Sequence, residues 1–147
     1  MLTDLDLLEL SKFRRELHQY PELSGYELET SKKVLTALEE MGPSQIIDKM
    51  GGYGLAAIFD SQKKGPTILF RAELDALPIQ EATQKDYQSV NDGVMHACGH
   101  DVHTSALLGA ATILVQLKSQ LKGQIKLIFQ PGEEKLPGGA SLLIKED

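Results

Sequence analysis

Eight consecutive positions, His96-Ala97-Cys98-Gly99-His100-Asp101-Val102-His103, hold the chain's single cysteine and three of its four histidines. Cys98 and His100 are separated by one glycine, so in an extended or irregular loop their side chains leave the backbone on the same side, a spacing suited to two ligands of one cation. Gly99 adds no side chain to obstruct them and is free to adopt backbone angles closed to other residues. A third ligand and a base are supplied by Phe129-Gln130-Pro131-Gly132-Glu133-Glu134, where adjacent carboxylates diverge after a Pro-Gly turn. Hydrolytic metal sites use about three protein ligands, an open position for water and a carboxylate within reach of that water. The spacing therefore assigns Cys98, His100 and Glu134 as ligands and Glu133 as the base.

The elements that must carry these residues follow from hydrophobic period and punctuation. Leu2 to Tyr20 reads as a helix, with Leu7, Leu10, Phe13 and Leu17 at three- and four-residue intervals, Thr3 or Asp4 as its cap and Pro21 as its stop. His18, near its end, reads as a solvated or capping residue. A second helix is expected from Ser24, where Ser24 and Glu27 have capping-box spacing, to Gly42-Pro43. Strands are expected at Gln45–Asp48, Gly54–Asp60 and Thr67–Glu73, the last two joined as a hairpin through Ser61–Pro66. Gly51-Gly52-Tyr53-Gly54 precedes a strand and not a helix, so it reads as a turn and not a phosphate loop. At the end of the third strand, Asp75 is either a residue that orients a ligand or substrate, or a solvated strand end.

Glu81 to Gly93 reads as a polar surface loop. From Thr104 to Leu121 apolar residues cover nearly the whole circumference, which predicts a buried helix whose N-terminus follows the Cys98-His100 loop and favours Cys98 as thiolate. Gln124 to Gln130 alternates, with Ile125, Leu127 and Phe129 on one face, and predicts a strand in a βαβ arrangement that puts Glu133 and Glu134 at the same edge as Asp75. Pro137-Gly138-Gly139 then opens a short helix, Ala140 to Glu146.

The 147 residues suit one domain, 41% hydrophobic and 24% charged, and the net charge of −6 argues against a broad nucleic-acid surface. The acidic start and the lack of an apolar run of about 20 residues predict neither a secretory leader nor a membrane span, and one cysteine forms no internal disulfide. A cytoplasmic protein is expected. A rival use of Cys98 is as a nucleophile with His100 or His103 as base; it leaves Glu133 and Glu134 without work, and one intervening residue is poor geometry for a supported base. His96, Asp101 and His103 read equally as ligands, as partners behind the ligands, or as loop fasteners.

Four segments, in order, carry a family resemblance: Arg15–Ser24 (RELHQYPELS), Arg71–Pro78 (RAELDALP), Gly93–Thr104 (GVMHACGHDVHT) and Phe129–Glu134 (FQPGEE). They resemble the metal-dependent amidohydrolases of the aminoacylase, hippurate hydrolase and indole-acetyl-amino-acid hydrolase group, within the larger family that contains glutamate carboxypeptidases. The resemblance implies an α/β fold, a three-layer zinc-exopeptidase-like catalytic domain with a mixed sheet flanked by helices. It implies hydrolysis of the amide in N-acyl amino acids, and a divalent metal, zinc or manganese with cobalt or nickel as further candidates. By matching position it assigns Cys98, His100 and Glu134 to the metal and Glu133 to the base, and places Asp75 at an acidic position near the site. Glu73 stands where many relatives have aspartate. Family members are longer and add metal-binding histidines and a lid or dimerisation domain, so residues 1–147 are expected to be the truncated N-terminal portion of such a catalytic domain, either inactive alone or a non-catalytic remnant acting as an oligomerising or binding module. The expected partner is a small N-acyl amino acid, with neither nucleic acid nor membrane, and with a homo-oligomer among the arrangements considered.

Overall fold

The computed structural model describes residues 1–146. Eight elements follow one another: α1 (Asp4–Gln19), α2 (Leu28–Met41), β1 (Gln45–Met50), β2 (Gly54–Asp60), β3 (Thr67–Glu73), α3 (His100–Gln116), β4 (Gln124–Gln130) and α4 (Gly139–Lys145). The capping box of α1 forms as the sequence implies: Thr3 Oγ1 accepts the Asp6 amide at 3.2 Å, and Asp6 Oδ2 accepts the Thr3 amide at 2.6 Å. The box expected for the second helix does not form. That helix starts at Leu28 with no side-chain cap, because Ser24 and Glu27 are engaged elsewhere.

The sheet is mixed, in the order β1-β2-β4-β3. β4 runs antiparallel to β2, with Ala57 opposite Leu127, and parallel to β3, with Phe70 opposite Leu127 and Glu73 opposite Gln130. The expected hairpin between the second and third strands is therefore wrong: β4 enters between them. The apolar alternation of β4 gives the reason, since Leu127 and Phe129 are fully buried and a strand burying such residues gains most at the centre of the sheet. Ser61–Pro66 instead ties down the start of that strand, as the Gly123 amide donates to Lys63 O at 2.8 Å and the Gln124 amide to Pro66 O at 3.0 Å.

The crossover β3-α3-β4 joins two parallel neighbours, the βαβ unit expected from the alternation of helix and strand periods. Val34 and Leu38 of α2 and Leu107, Leu108 and Ala111 of α3 pack on the sheet face made by Leu55, Ala57, Phe59, Ala72, Leu127 and Phe129. α1 lies against α3, and Gly109 permits the approach: a Cβ there would stand 2.9 Å from Leu10 Cδ1. The burial expected around most of α3 is only partly realised. Val102, Ala106, Ala110 and Ile113 line an open groove with Leu7 and Leu10 of α1, and Leu7 is half exposed. Among the described residues no helix is long and apolar enough to cross a membrane.

Candidate metal centre

Because β3 and β4 are parallel, their carboxyl ends meet at one edge, and the ladder continues one step beyond as the Leu74 amide donates to Gln130 O at 2.9 Å. Asp75 and the Pro131–Glu134 turn therefore leave the sheet side by side. The loop before α3 reaches the same place through a bridge between Leu77 and Met95, while Leu23 bridges Ala76 from the other side. α3 begins earlier than expected, at His100, because Gly99 takes a left-handed conformation (φ 88°) at its N-cap. His100 thus stands in the first helical turn and Cys98 lies two residues outside it.

One ligand-type atom each from Cys98, His100 and Glu134 lie within 4.8 Å of one another. His100 Nδ1 donates to Asp75 O at 2.8 Å and lies 3.3 Å from Asp75 Oδ1, which fixes the tautomer and turns Nε2 outward, 3.8 Å from Glu134 Oε1. Asp75 is 1% exposed. Its Oδ2 accepts Ser24 Oγ at 2.6 Å and the Glu134 amide at 2.9 Å. Of the two readings of Asp75, the solvated strand end is therefore excluded. Burial works to raise its pKa, but the bonds from His100, Ser24 and the amides of Glu134 and Glu133 outweigh it and hold the carboxyl well below the usual range. Burial likewise opposes charge on His100, yet the bonds to Asp75 and the charges of Asp75 and Glu73 raise its pKa to about 9.

The protein groups around Cys98 work against the thiolate that a metal ligand would be. The thiol is exposed, and its hydrogen bond to Glu134, followed by burial and the charges of Glu134, Glu133 and Asp75, raises its pKa. Helix α3 is outvoted by three carboxylates, and the nucleophile reading of Cys98 loses its activation with it. This is the electrostatic signature of a place for a cation: sulfur, imidazole and carboxylate donors converge where negative charge is in excess, and the donor set fits a borderline divalent metal. Glu133 is exposed beside Glu134.

Several residues of this region escaped the sequence reading. Glu27 is fully buried, and its carboxylate accepts the Gly132 amide at 2.7 Å and the Gly25 amide at 2.9 Å, which pins the turn that carries Glu133 and Glu134. Burial is the leading cause of its raised pKa. The spacing of Ser24 and Glu27 was a real signal of paired use, attached to the wrong partners. His18 is buried and not solvated: its Nδ1 meets Asp101 Oδ2 at 2.8 Å and its Nε2 meets Glu81 Oε1 at 3.2 Å, while Arg14 Nε also pairs with Asp101 at 2.8 Å. Glu81 is accordingly buried, although its loop is polar, and it accepts the Ser89 amide at 2.7 Å and the Thr83 hydroxyl. Asp101 is thus a fastener behind His100. His96 is 4% exposed with neither ring nitrogen hydrogen-bonded, and His103 pairs with Glu73.

Comparison with known proteins places this geometry. Over 135 residues the chain is 47% identical to an N-acetyl-L-cysteine deacetylase of Bacillus subtilis (strain 168), covering 92% of this chain and 32% of that protein. Over 144 residues it is 40% identical to an N-acyl-L-amino acid amidohydrolase of Geobacillus stearothermophilus, covering 98% of this chain and 39% of that protein. The crystal structure of a dinuclear metal-binding peptidase of the M20 family from Bacillus subtilis superposes with a TM-score of 0.91 at 42% identity, over 98% of this chain and 40% of that one. The chain therefore spans about a third of the length of the curated relatives it matches. The mixed α/β fold expected from the sequence is the fold of these proteins. The profile of peptidase family M20/M25/M40 matches residues 69–147, which include β3, the Cys98-His100 loop and the Glu133-Glu134 turn, and the chain belongs to that family.

Proposed function

We propose that residues 1–147 are the N-terminal portion of the catalytic domain of a metal-dependent amidohydrolase that cleaves the amide of N-acyl amino acids. The observation that carries the reading is the convergence of Cys98, His100 and Glu134 within 4.8 Å, with Asp75 buried behind His100. These three residues would hold a divalent cation, zinc or manganese, and the names of the relatives supply the substrate class. A bound cation supplies Lewis acidity toward the amide carbonyl and makes water acidic enough to attack near neutral pH.

The chain's own residues divide the remaining work. Asp75 holds His100 in the tautomer that offers Nε2. Ser24 and the Glu134 amide keep Asp75 ionised and in place. Glu133, adjacent to the ligand Glu134 and not needed as one, takes the proton from the attacking water and returns it to the departing amine nitrogen, a shuttle worth about 10²–10⁴ in rate. A free cysteine used as a ligand fits a reducing compartment such as the cytoplasm.

The test is metal analysis after dialysis, followed by hydrolysis of N-acetyl and N-benzoyl amino acids with and without chelator. Turnover should stop on chelation and return with zinc or manganese. Glu133→Gln should keep the metal and lose about 10²–10⁴ of the rate. Metal retained with no turnover by the wild-type chain favours the non-catalytic remnant, and loss of all metal binding removes the ligand assignment.

A further inference from the structure

The two edge strands of the sheet are finished differently. β1 is guarded: its pairing with β2 slips between Ile47 and Met50, Lys49 sits at the slip with φ 60°, and Asp48 and Lys49 put charge on the strand. Bulges and charges of this kind keep foreign strands off an edge. β3 has neither from Thr67 to Phe70 and pairs with β4 in unbroken register. Ile68, Leu69 and Phe70 are each about half exposed, Ile68 and Phe70 on the sheet face that Ala72 and Leu127 share, Leu69 on the opposite face. The backbone is open as well. The Leu74 amide and the Pro66 carbonyl both point at β4, so the even-numbered residues spend their backbone groups on that neighbour, and Thr67, Leu69 and Arg71 turn theirs outward. Among the described residues no strand pairs with that side of β3. An outward row of backbone donors and acceptors between apolar side chains is a template for another extended chain, and not for a lipid or a small molecule.

We propose that β3 of a second copy of this chain pairs antiparallel with this edge, joining the two four-stranded sheets into one. Two features select a second copy, and select that direction. A two-fold axis at Leu69 sets Leu69 opposite itself, Ile68 opposite Phe70 and Thr67 opposite Arg71, so each exposed apolar side chain meets another and the outward backbone groups of residues 67, 69 and 71 satisfy one another. Charge is complementary in the same sense. The exposed Lys64 precedes the strand, whereas its far end holds Glu73, Asp75 and the carboxylate of Glu134. Antiparallel pairing sets the basic start of each copy beside the acidic end of the other, and parallel pairing would stack like on like. Because the contact consumes β3 of each copy and leaves the guarded β1 edges outside, the assembly closes at two.

Sedimentation of the chain over a dilution series, with hydrogen exchange of the β3 amides, tests the pairing. The wild-type chain should form a dimer and nothing larger, with the Thr67, Leu69 and Arg71 amides protected in the dimer. Leu69→Lys sets two ammonium groups opposite each other at the two-fold and should weaken the dimer about 100-fold or more and free those amides. Leu8→Lys, on the exposed side of α1, should change neither, and circular dichroism checks the fold of both variants. Amide protection in the wild-type chain decides the question even where Leu69→Lys fails to fold. A wild-type chain that stays monomeric at every concentration overturns the second copy as occupant and leaves the edge to a strand of a different chain. A dimer that survives Leu69→Lys, or one whose three amides exchange as freely as in the monomer, overturns the pairing through β3. Species that grow beyond two with concentration overturn the closure.

Discussion

Two histidines four residues apart, both buried, have opposite electrostatic fates. His100 is raised to about 9 and His96 lowered to about 4 from the same ordinary value of 6.5. Burial pushes both down. His100 has Asp75 against its ring, whereas His96 has only the more distant charges of Asp101 and Asp75 in its favour and those of His18 and His100 against it, and neither of its nitrogens has a hydrogen-bond partner. What sets these two buried imidazoles apart is therefore a single contacting carboxylate.

The sign of the linkage makes the contrast measurable. His100 is protonated in the folded chain and neutral in the unfolded chain between pH 6.5 and about 9, so its stabilisation is fully present below 6.5 and is lost as pH rises through about 9. His96 is neutral in the folded chain and charged in the unfolded chain between about 4 and 6.5, so it erodes stability as pH falls across that window. These two groups alone place the most stable pH of the metal-free chain near 6.5.

The largest expected effect comes from removing the carboxylate that sets the two rings apart. Asp75→Asn should return the His100 pKa from about 9 to 6.5 or below, read by NMR titration, and cost about 3–5 kcal/mol at neutral pH because the buried carboxylate that pairs with the His100 ring loses its charge. A His100 pKa that stays near 9 breaks the comparison. Next, His96→Leu should remove the acid limb, a gain of up to about 3 kcal/mol at pH 4 relative to the wild-type chain after matching at pH 7, by chemical denaturation at both pH values. An acid limb of unchanged slope would mean that another group carries it. Smallest is Ser24→Ala, which deletes one bond to Asp75 and should cost about 1–2 kcal/mol while lowering the His100 pKa only slightly. A fall as large as that of Asp75→Asn would transfer the deciding role from the carboxylate to its anchor.

Much of the molecule is legible in one dimension. The helix of residues 4–19 with its Thr3-Asp6 box, the strands at 54–60, 67–73 and 124–130, and the proximity of Asp75 to the Glu133-Glu134 turn all follow from period, capping chemistry and the βαβ rule. Such signals are local, or depend on a connection short enough to admit one outcome. The strand order did not follow, because the apolar alternation of β4 marks it as central without saying which neighbours it separates.

The amino-acid sequence by itself determined which donors are available, Cys98, His100, Glu133 and Glu134, and that parallel strands would deliver them to one edge. Only the tertiary structure decided their surroundings: that Ser24 and Glu27 serve the site and not a helix cap, that His18 is locked between Asp101 and Glu81, and that Cys98 faces carboxylates that raise its pKa. The physical reason is that residue type fixes what a group can donate, whereas its charge depends on burial and on partners as many as 105 positions away along the chain.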